Sequence, residues 1–442
     1  MASTICALAT PPGVGAIAVI RVSGPESFPI VQTLFRGKNL AEQASHTIHF
    51  GTIRDEKGQV VDEVLISLFK NPHSYTREDS IEISCHGSGF IIQKILRLLL
   101  KKGCQMAQPG EFTQRAFLNG QLDLAQAEAV SDLIASDSEA SHRAAIHQIR
   151  GGFSKDIAQL REQLIHFASL IELELDFGEE DVEFADRDQL RRLINSIRRA
   201  LRPLIDSFEL GNVLKEGIPV AIVGPPNAGK STLLNALLNE EKAIVTEIAG
   251  TTRDVIEDTL VIDGIKFRIL DTAGIRETSD RVEAIGVERS LAALDRAEII
   301  LKLNSADVTS EAFETLFAKR VGESTKVIAI QTKADLGNTH PADLSISAAT
   351  GQGIDELRQL LVERVKTHRT SDTVVTNLRH FEHLTATDAA LQRALDGLEH
   401  GITQDWLAMD IRQSLHHLGE ITGQITTDDL LENIFSKFCI GK

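Results

Sequence analysis

The stretch Gly224–Ser231, reading GPPNAGKS, constrains the fold more than any other part of the chain. Before it, Pro219–Val223 (PVAIV) reads as a short buried strand. After it, Thr232–Leu238 (TLLNALL) has the composition of a helix. Strand, G-x-x-x-x-G-K-S and helix in that order form a phosphate-binding loop in its required context. Gly224 and Gly229 let the backbone turn its N–H groups inward, and the helix beginning near Lys230 adds the positive end of its dipole. Lys230 supplies a point charge for the β and γ phosphates, and the Ser231 hydroxyl is placed for Mg²⁺.

Around this loop, residues from about 213 to 370 alternate strand and helix, as an open α/β sheet requires. Ala249–Asp254 (AGTTRD) is followed by strands near 259–262 and 267–270, the second running into Asp271-Thr-Ala-Gly274. Asp-x-x-Gly after a strand places a carboxylate near Mg²⁺ and a glycine N–H near the γ-phosphate. Strands near 299–303 and 327–331 follow, the latter ending in Thr332-Lys-Ala-Asp335. A carboxylate at Asp335 can accept from both N1–H and the 2-amino group of guanine, a donor pair that adenine lacks. Ser347-Ala-Ala349 precedes Thr350-Gly-Gln-Gly353 and a last helix, with Thr350 readable as a plain turn residue. In this order, the motifs describe a guanine-nucleotide domain.

The flanks differ. Residues 1 to about 118 mix short strands (17–22, 64–69, 80–85) with helices, and Asp55–Gly58 reads as a turn joining two strands. His86-Gly-Ser-Gly89 before a helix is either an anion turn or a tight strand–helix connection, and His86 itself reads as a packed loop histidine. Arg21 and Glu82 fall inside strand-like runs, as sheet-edge charges or as ligand contacts. From Gly120 to about Leu210 the pattern is helical. Phe153, Ile157, Leu160, Leu164, Phe167 and Ile171 form one stripe; Leu190, Leu193, Ile197, Leu201 and Leu204 form another, which Pro203 should kink or break. Helical pattern returns after Thr373, with Thr426–Asp429 capping a last helix. The acidic run 172–183 is a cation site or a solvated loop, without Ca²⁺-loop spacing.

A net charge of −17 disfavours general nucleic-acid affinity, so any nucleic-acid partner needs a local basic surface. Four scattered cysteines, with no CxxC, point to a reducing cytoplasm rather than a disulfide framework. The N-terminus lacks a basic signal-peptide region, and apolar runs such as 91–100 are broken by charge, so no membrane span is expected.

The segments ATPPG and RVSG near the N-terminus, PGEFTQRAFLNGQLDLAQAEAV, GPPNAGKSTLLNAL, IVTEIAGTTRD, DTAGIRET and the terminal FCIGK resemble the MnmE (TrmE) family of tRNA uridine-modifying GTPases over nearly the full length. The resemblance implies a multidomain α/β plus α protein. Residues 1–118 would form an N-terminal α+β folate-binding and dimerisation domain. Residues 119–212 and 372–442 would form a discontinuous helical domain with a C-terminal CIGK tail, interrupted by an inserted Ras-like α/β G domain at 213–371. It further implies a homodimer that joins an FAD-containing partner, MnmG (GidA), as a heterotetramer. That complex adds an aminomethyl or carboxymethylaminomethyl group to C5 of the wobble uridine of certain tRNAs, with a tetrahydrofolate derivative supplying the one-carbon unit.

Carried over residue by residue, the resemblance places folate contacts at Arg21, Glu82, Gln121 and Lys442; the family pattern has Lys at the Gln121 position. Cys439 matches the tail cysteine needed for modification. Ser231 and Thr252 match the Mg²⁺ ligands, and Asn227, Thr246, Ile248 and Thr251 the K⁺ contacts. The nucleotide cradle takes in Asn227, Ala228, Gly229, Lys230, Ser231 and Thr232, and the loop Thr246, Glu247, Ile248, Ala249, Gly250, Thr251 and Thr252. It continues through Asp271, Thr272, Ala273 and Gly274, then Thr332, Lys333, Ala334 and Asp335, and ends at Ser347, Ala348 and Ala349. Asn227 and Lys230 would assist hydrolysis directly. Ile275 follows DTAG where many GTPases carry a water-orienting Gln; an apolar side chain cannot do this, and Glu283 falls on the family's candidate. No in-chain arginine finger is evident, so K⁺ near Asn227, ordered by G-domain dimerisation, would supply that charge. Thr332 replaces the Asn of the usual NKxD, with the expected loss of an amide donor to the base and of a bridge to the phosphate loop. Two other functions compete: an RNA-binding assembly switch without covalent chemistry, and a stand-alone folate enzyme regulated by GTP.

Overall fold

The structure, a computed structural model, describes residues 3–176, 187–239, 258–270, 294–305, 311–320, 326–337, 341–365, 374–400 and 404–441. It divides into two compact units: 1–134, 146–198 and 383–442 form the first, and 135–145 with 199–382 the second.

The first unit opens with β1 (Ile5–Leu8), β2 (Ile17–Ser23), α1 (Ser27–Leu34), β3 (Phe35–Arg36), β4 (Thr47–Arg54), β5 (Val60–Phe69), β6 (Ser80–His86), α2 (Gly89–Lys101), β7 (Gln105–Met106) and α3 (Glu111–Leu118). The strands form one sheet in the order β3-β4-β5-β6-β2-β1-β7, antiparallel except where β7 joins β1. Alternation of side chains gives the sheet two unlike faces. Ile20, Val22, Ile66, Leu68, Ile81 and Ile83 are buried in one core with Ile95 and Leu99 of α2. The other face presents Ile17, Ile48, Phe50 and Leu65 to solvent, with Phe50 registered opposite Leu65. The Asp55–Gly58 turn joins β4 to β5 as expected, Gly58 adopting φ +77° and donating its N–H to Asp55 O at 2.9 Å.

Next come α4 (Leu124–Ala135), α5 (Glu139–Ile149), α6 (Gly152–Asp176) and α7 (Arg187–Glu216). The α6 stripe is buried at Phe153, Ile157, Leu160, Leu164 and Ile171. In α7 the buried stripe is Leu190, Ile194, Ile197, Leu201 and Leu204, so Ile194 takes the place read for Leu193, keeping steps of four and three. The helix passes Pro203 without interruption, so the expected break is not found.

The second unit carries β8 (Ile218–Val223), α8 (Lys230–Asn239), β9 (Asp258–Ile262), β10 (Ile265–Ile269), β11 (Ile299–Ser305), α9 (Glu311–Arg320), β12 (Lys326–Thr332), β13 (Leu344–Ser345) and α10 (Ile354–Val365). Its sheet has the order β13-β12-β11-β8-β10-β9, parallel throughout except for the antiparallel edge strand β9. Apolar side chains fill both faces, Val220, Ile222 and Leu301 on one and Ala221, Val223 and Ile300 on the other. That accounts for the near-continuous apolar runs of β8 and β11. The chain ends with α11 (Leu378–His400), α12 (Gln404–Thr422) and α13 (Asp428–Phe435). Thr427 caps α13, its hydroxyl accepting from Leu430 N at 3.3 Å. Phe435 and Phe438 then pack with Leu124 of α4.

Candidate functional site

In a parallel sheet, ligands bind outside the carboxyl ends of the strands. The loop after β8 lies there. Asn227 adopts φ +61° and Gly229 φ +90°, the left-handed backbone that turns successive N–H groups toward one side. Gly224 is required for another reason: a Cβ there would stand 2.8 Å from Leu303 O on the neighbouring strand β11. Lys230 begins α8 and folds back over the loop, its Nζ donating to Gly224 O and Pro225 O, each at 2.9 Å. The ammonium is therefore held over the loop by two of its carbonyl oxygens. Ser231 follows in the first helical turn, and Asn227 is exposed at the crest of the loop. This arrangement fits a phosphate chain with a hard cation beside it.

Thr332 ends β12, and its Oγ1 donates to Ala228 O at 2.8 Å, with Asn304 O at 3.1 Å. This corrects the expectation that Thr at this position loses the bridge to the phosphate loop. The loop runs close beside the end of β12 here: an ideal Cβ on Gly229 would lie 3.8 Å from Thr332 Cβ, an ordinary contact distance, so a short hydroxyl spans the gap. What Thr332 lacks is the amide donor. Removing the hydroxyl while keeping the shape, in Thr332→Val, is expected to cost about 1 kcal/mol and roughly fivefold in GDP affinity by calorimetry. An unchanged affinity would show that the bridge does not hold the loop.

Beyond Thr332 the chain turns at Lys333 (φ +55°) into a short 3-10 turn that leaves Asp335 exposed at the strand end. Ala334 N donates to Ile346 O at 3.0 Å and Ile346 N to Gln331 O at 2.8 Å, joining this turn to the Ser347–Ala349 loop. Thr350 N donates to Ser347 O at 3.2 Å, so Thr350 is a turn residue. The structure thus gathers Asn227–Thr232, Thr332–Asp335 and Ser347–Ala349 along one edge of the sheet. Thr246–Thr252, Asp271–Gly274 and Glu283 lie outside the described residues.

The first unit holds a second cluster. Arg21 and Glu82 pair directly across β2 and β6, both interior strands, which removes the sheet-edge reading. Arg21 Nε and Nη2 donate to Glu82 Oε1 at 3.0 and 2.9 Å. The guanidinium lies 5.3 Å from the ring centre of Tyr75 and 5.6 Å from that of Phe112. The side chains are 16% and 27% exposed, yet buried Arg21 Nη1 has no hydrogen-bond partner among the described residues. A buried donor without an acceptor costs about 1–3 kcal/mol, so Nη1 is a donor suited to an acceptor on a ligand. Burial raises the Tyr75 phenol above its usual range and keeps it a neutral donor and acceptor, 2.9 Å from Thr113 Oγ1. Tyr75 carries no motif that marks it in the sequence, and Phe112 lies inside the PGEFTQ segment but is not singled out there. Gln121 accepts from Arg77 Nε at 2.8 Å.

The tail returns to the same sheet. Gly110 N donates to Cys439 O at 3.4 Å, and Gly441 (φ +97°) runs so close to Leu8 O that a Cβ would collide with it. Leu8 and Ala7 are registered opposite Ile20 and Arg21, so the tail stops one strand from the Arg21 pair. Lys442 lies outside the described residues. Cys439 is exposed, whereas Cys6, Cys85 and Cys104 are buried. Burial and the Asp62 carboxylate push the Cys85 thiol up to about 11, and the side-chain hydrogen bond with Cys6, together with burial, also pushes the free Cys104 thiol up. Among the four thiols, Cys439 is therefore the one open to external reactants. His86 departs from the packed-loop expectation: its side chain is 68% exposed at the end of β6, held by Asp62 Oδ1 at 2.7 Å from Nδ1.

Comparison with known proteins supplies the family. A family model described as MnmE helical domain matches residues 124–439, and one described as GTP-binding protein TrmE N-terminus matches 4–121. The chain is 56% identical to a tRNA modification GTPase MnmE of Cytophaga hutchinsonii, covering 99% of this chain and 98% of that protein. It is 53% identical to the one of Flavobacterium johnsoniae, covering 99% of each. Among solved structures, Era of Aquifex aeolicus bound to GDP·AlF4⁻ is 28% identical over 39% of this chain and 66% of that one, with a TM-score of 0.26.

Proposed function

Since the chain belongs to the MnmE family of tRNA modification GTPases, we propose that it hydrolyses GTP as the folate-binding component of a cytoplasmic tRNA-modifying complex. The complex adds an aminomethyl or carboxymethylaminomethyl group to C5 of the wobble uridine of certain tRNAs. The observation that carries the GTPase reading is the Thr332–Ala228 bridge, which ties the guanine-reading turn to the phosphate loop. In this reading Asp335 accepts from the guanine edge, Lys230 and the loop N–H groups draw charge off the β and γ phosphates, and Ser231 with Thr252 holds Mg²⁺. K⁺, held by Asn227 with Thr246, Ile248 and Thr251, supplies the positive charge that an arginine finger brings elsewhere. Glu283 positions the attacking water.

The orphaned Arg21 Nη1 supports tetrahydrofolate binding at Arg21 and Glu82, with Lys442 arriving from the tail. Gln121 belongs to the same contact set, its side chain now engaged by Arg77. The apolar side chains Ile17, Ile48, Phe50 and Leu65 share the sheet face of Arg21 and Glu82, and a second copy of the chain would cover them. The homodimer then joins an FAD-containing partner of the MnmG type, and Cys439 serves the modification step from beside the folate. Among the described residues no helix is long and apolar enough to cross a membrane.

Nucleoside mass analysis of tRNA from a deletion strain tests the reading: the modified wobble uridines are expected to disappear, and to return with the wild-type chain but not with Cys439→Ser. With the purified chain, GTP turnover is expected to fall when Na⁺ replaces K⁺. Unchanged nucleosides would reject the tRNA role, and equal rates in the two salts would reject the role of Asn227.

A further inference from the structure

A group of metal-ligating side chains in the first unit belongs to neither site. His417 and Glu420 stand three residues apart on α12 and so share one face of it, and His383 on α11 meets them there. His383 Nδ1 lies 3.4 Å from His417 Nδ1 and 3.3 Å from Glu420 Oε2, and His417 Nδ1 lies 3.8 Å from that same oxygen. The three side chains are only 19%, 19% and 21% exposed.

The triangle has a chemical meaning. Zinc bonded to nitrogen and oxygen at about 2.0–2.2 Å in a tetrahedron holds its ligand atoms roughly 3.3–3.5 Å apart. Two imidazole nitrogens and a carboxylate oxygen here approximate three corners of that figure before any ion is added. We propose that His383, His417 and Glu420 bind one Zn²⁺, tying α11 to α12. Water or the half-exposed His416, whose Nε2 lies 3.5 Å from Glu420 Oε2, takes the fourth corner. The donor set of imidazole and carboxylate suits zinc rather than the oxygen-seeking Mg²⁺. The nearby cation Arg393 is paired with Asp410 at 2.9 Å.

The full-length chain, stripped with a chelator, is titrated with Zn²⁺ against a chromophoric competitor, and with Co²⁺ followed by visible absorption. The wild type is expected to take up one more equivalent than His417→Ala or His383→Asn, to give the intensified absorption of four-coordinate Co²⁺, and to melt at higher temperature with Zn²⁺ while the variants do not. Equal uptake in wild type and variants, or a six-coordinate Co²⁺ spectrum, would overturn the site. Should those variants fail to fold, Glu420→Gln, which keeps size and hydrogen-bonding capacity, makes the same comparison.

Discussion

Lys230→Ala is expected to lower GTP turnover by about 10²–10³-fold, the loss seen when one preorganised donor to developing charge is removed. The geometry gives the reason. The ammonium is held over the loop by the carbonyls of Gly224 and Pro225, so it is aimed before substrate arrives and no reorganisation is needed at the moment of bond cleavage. Lys230 is only half-buried and lies outside the apolar core, so the fold is expected to survive its removal and thermal melting to shift little. Single-turnover phosphate release measures the effect. A loss below tenfold would mean that the lysine stays with the loop carbonyls and never reaches the phosphates.

Arg21→Ala is expected to weaken tetrahydrofolate binding by about 10–100-fold in calorimetry, from one charge-assisted hydrogen bond worth roughly 1.5–3 kcal/mol. The substitution removes the orphaned Nη1 donor and also the partner of Glu82, leaving a partly buried carboxylate alone between two strands. Arg21→Lys is not expected to restore affinity. A single ammonium cannot serve Glu82, lie over Tyr75 and Phe112, and present a further donor at once, as the planar guanidinium does. GTP turnover should be retained, because the phosphate loop belongs to the other unit. Unchanged folate affinity would remove Arg21 from the site.

Features that rest on contiguous residues are readable directly from the chain. The phosphate loop was legible because its chemistry needs glycines, a lysine and a helix start within one turn of chain. The α6 stripe and the Thr427 cap were legible because helical period and end-group bonding repeat every three or four residues. Asp335 was legible through its place at a strand end. Features that depend on distant segments meeting emerge only in the folded chain. Arg21 and Glu82 read as edge charges or ligand contacts until strand register set them face to face from 61 residues apart. Thr332 read as a lost bridge until the parallel sheet brought it, across 104 residues, to Ala228. The tail cysteine gained its place because Gly441 lets the backbone press against β1, and the two histidines with Glu420 met only where α11 packs on α12. Local hydrogen bonding and side-chain period are written in neighbouring residues. Strand register and helix packing are fixed by the burial of the whole core, and no short stretch of chain carries that information.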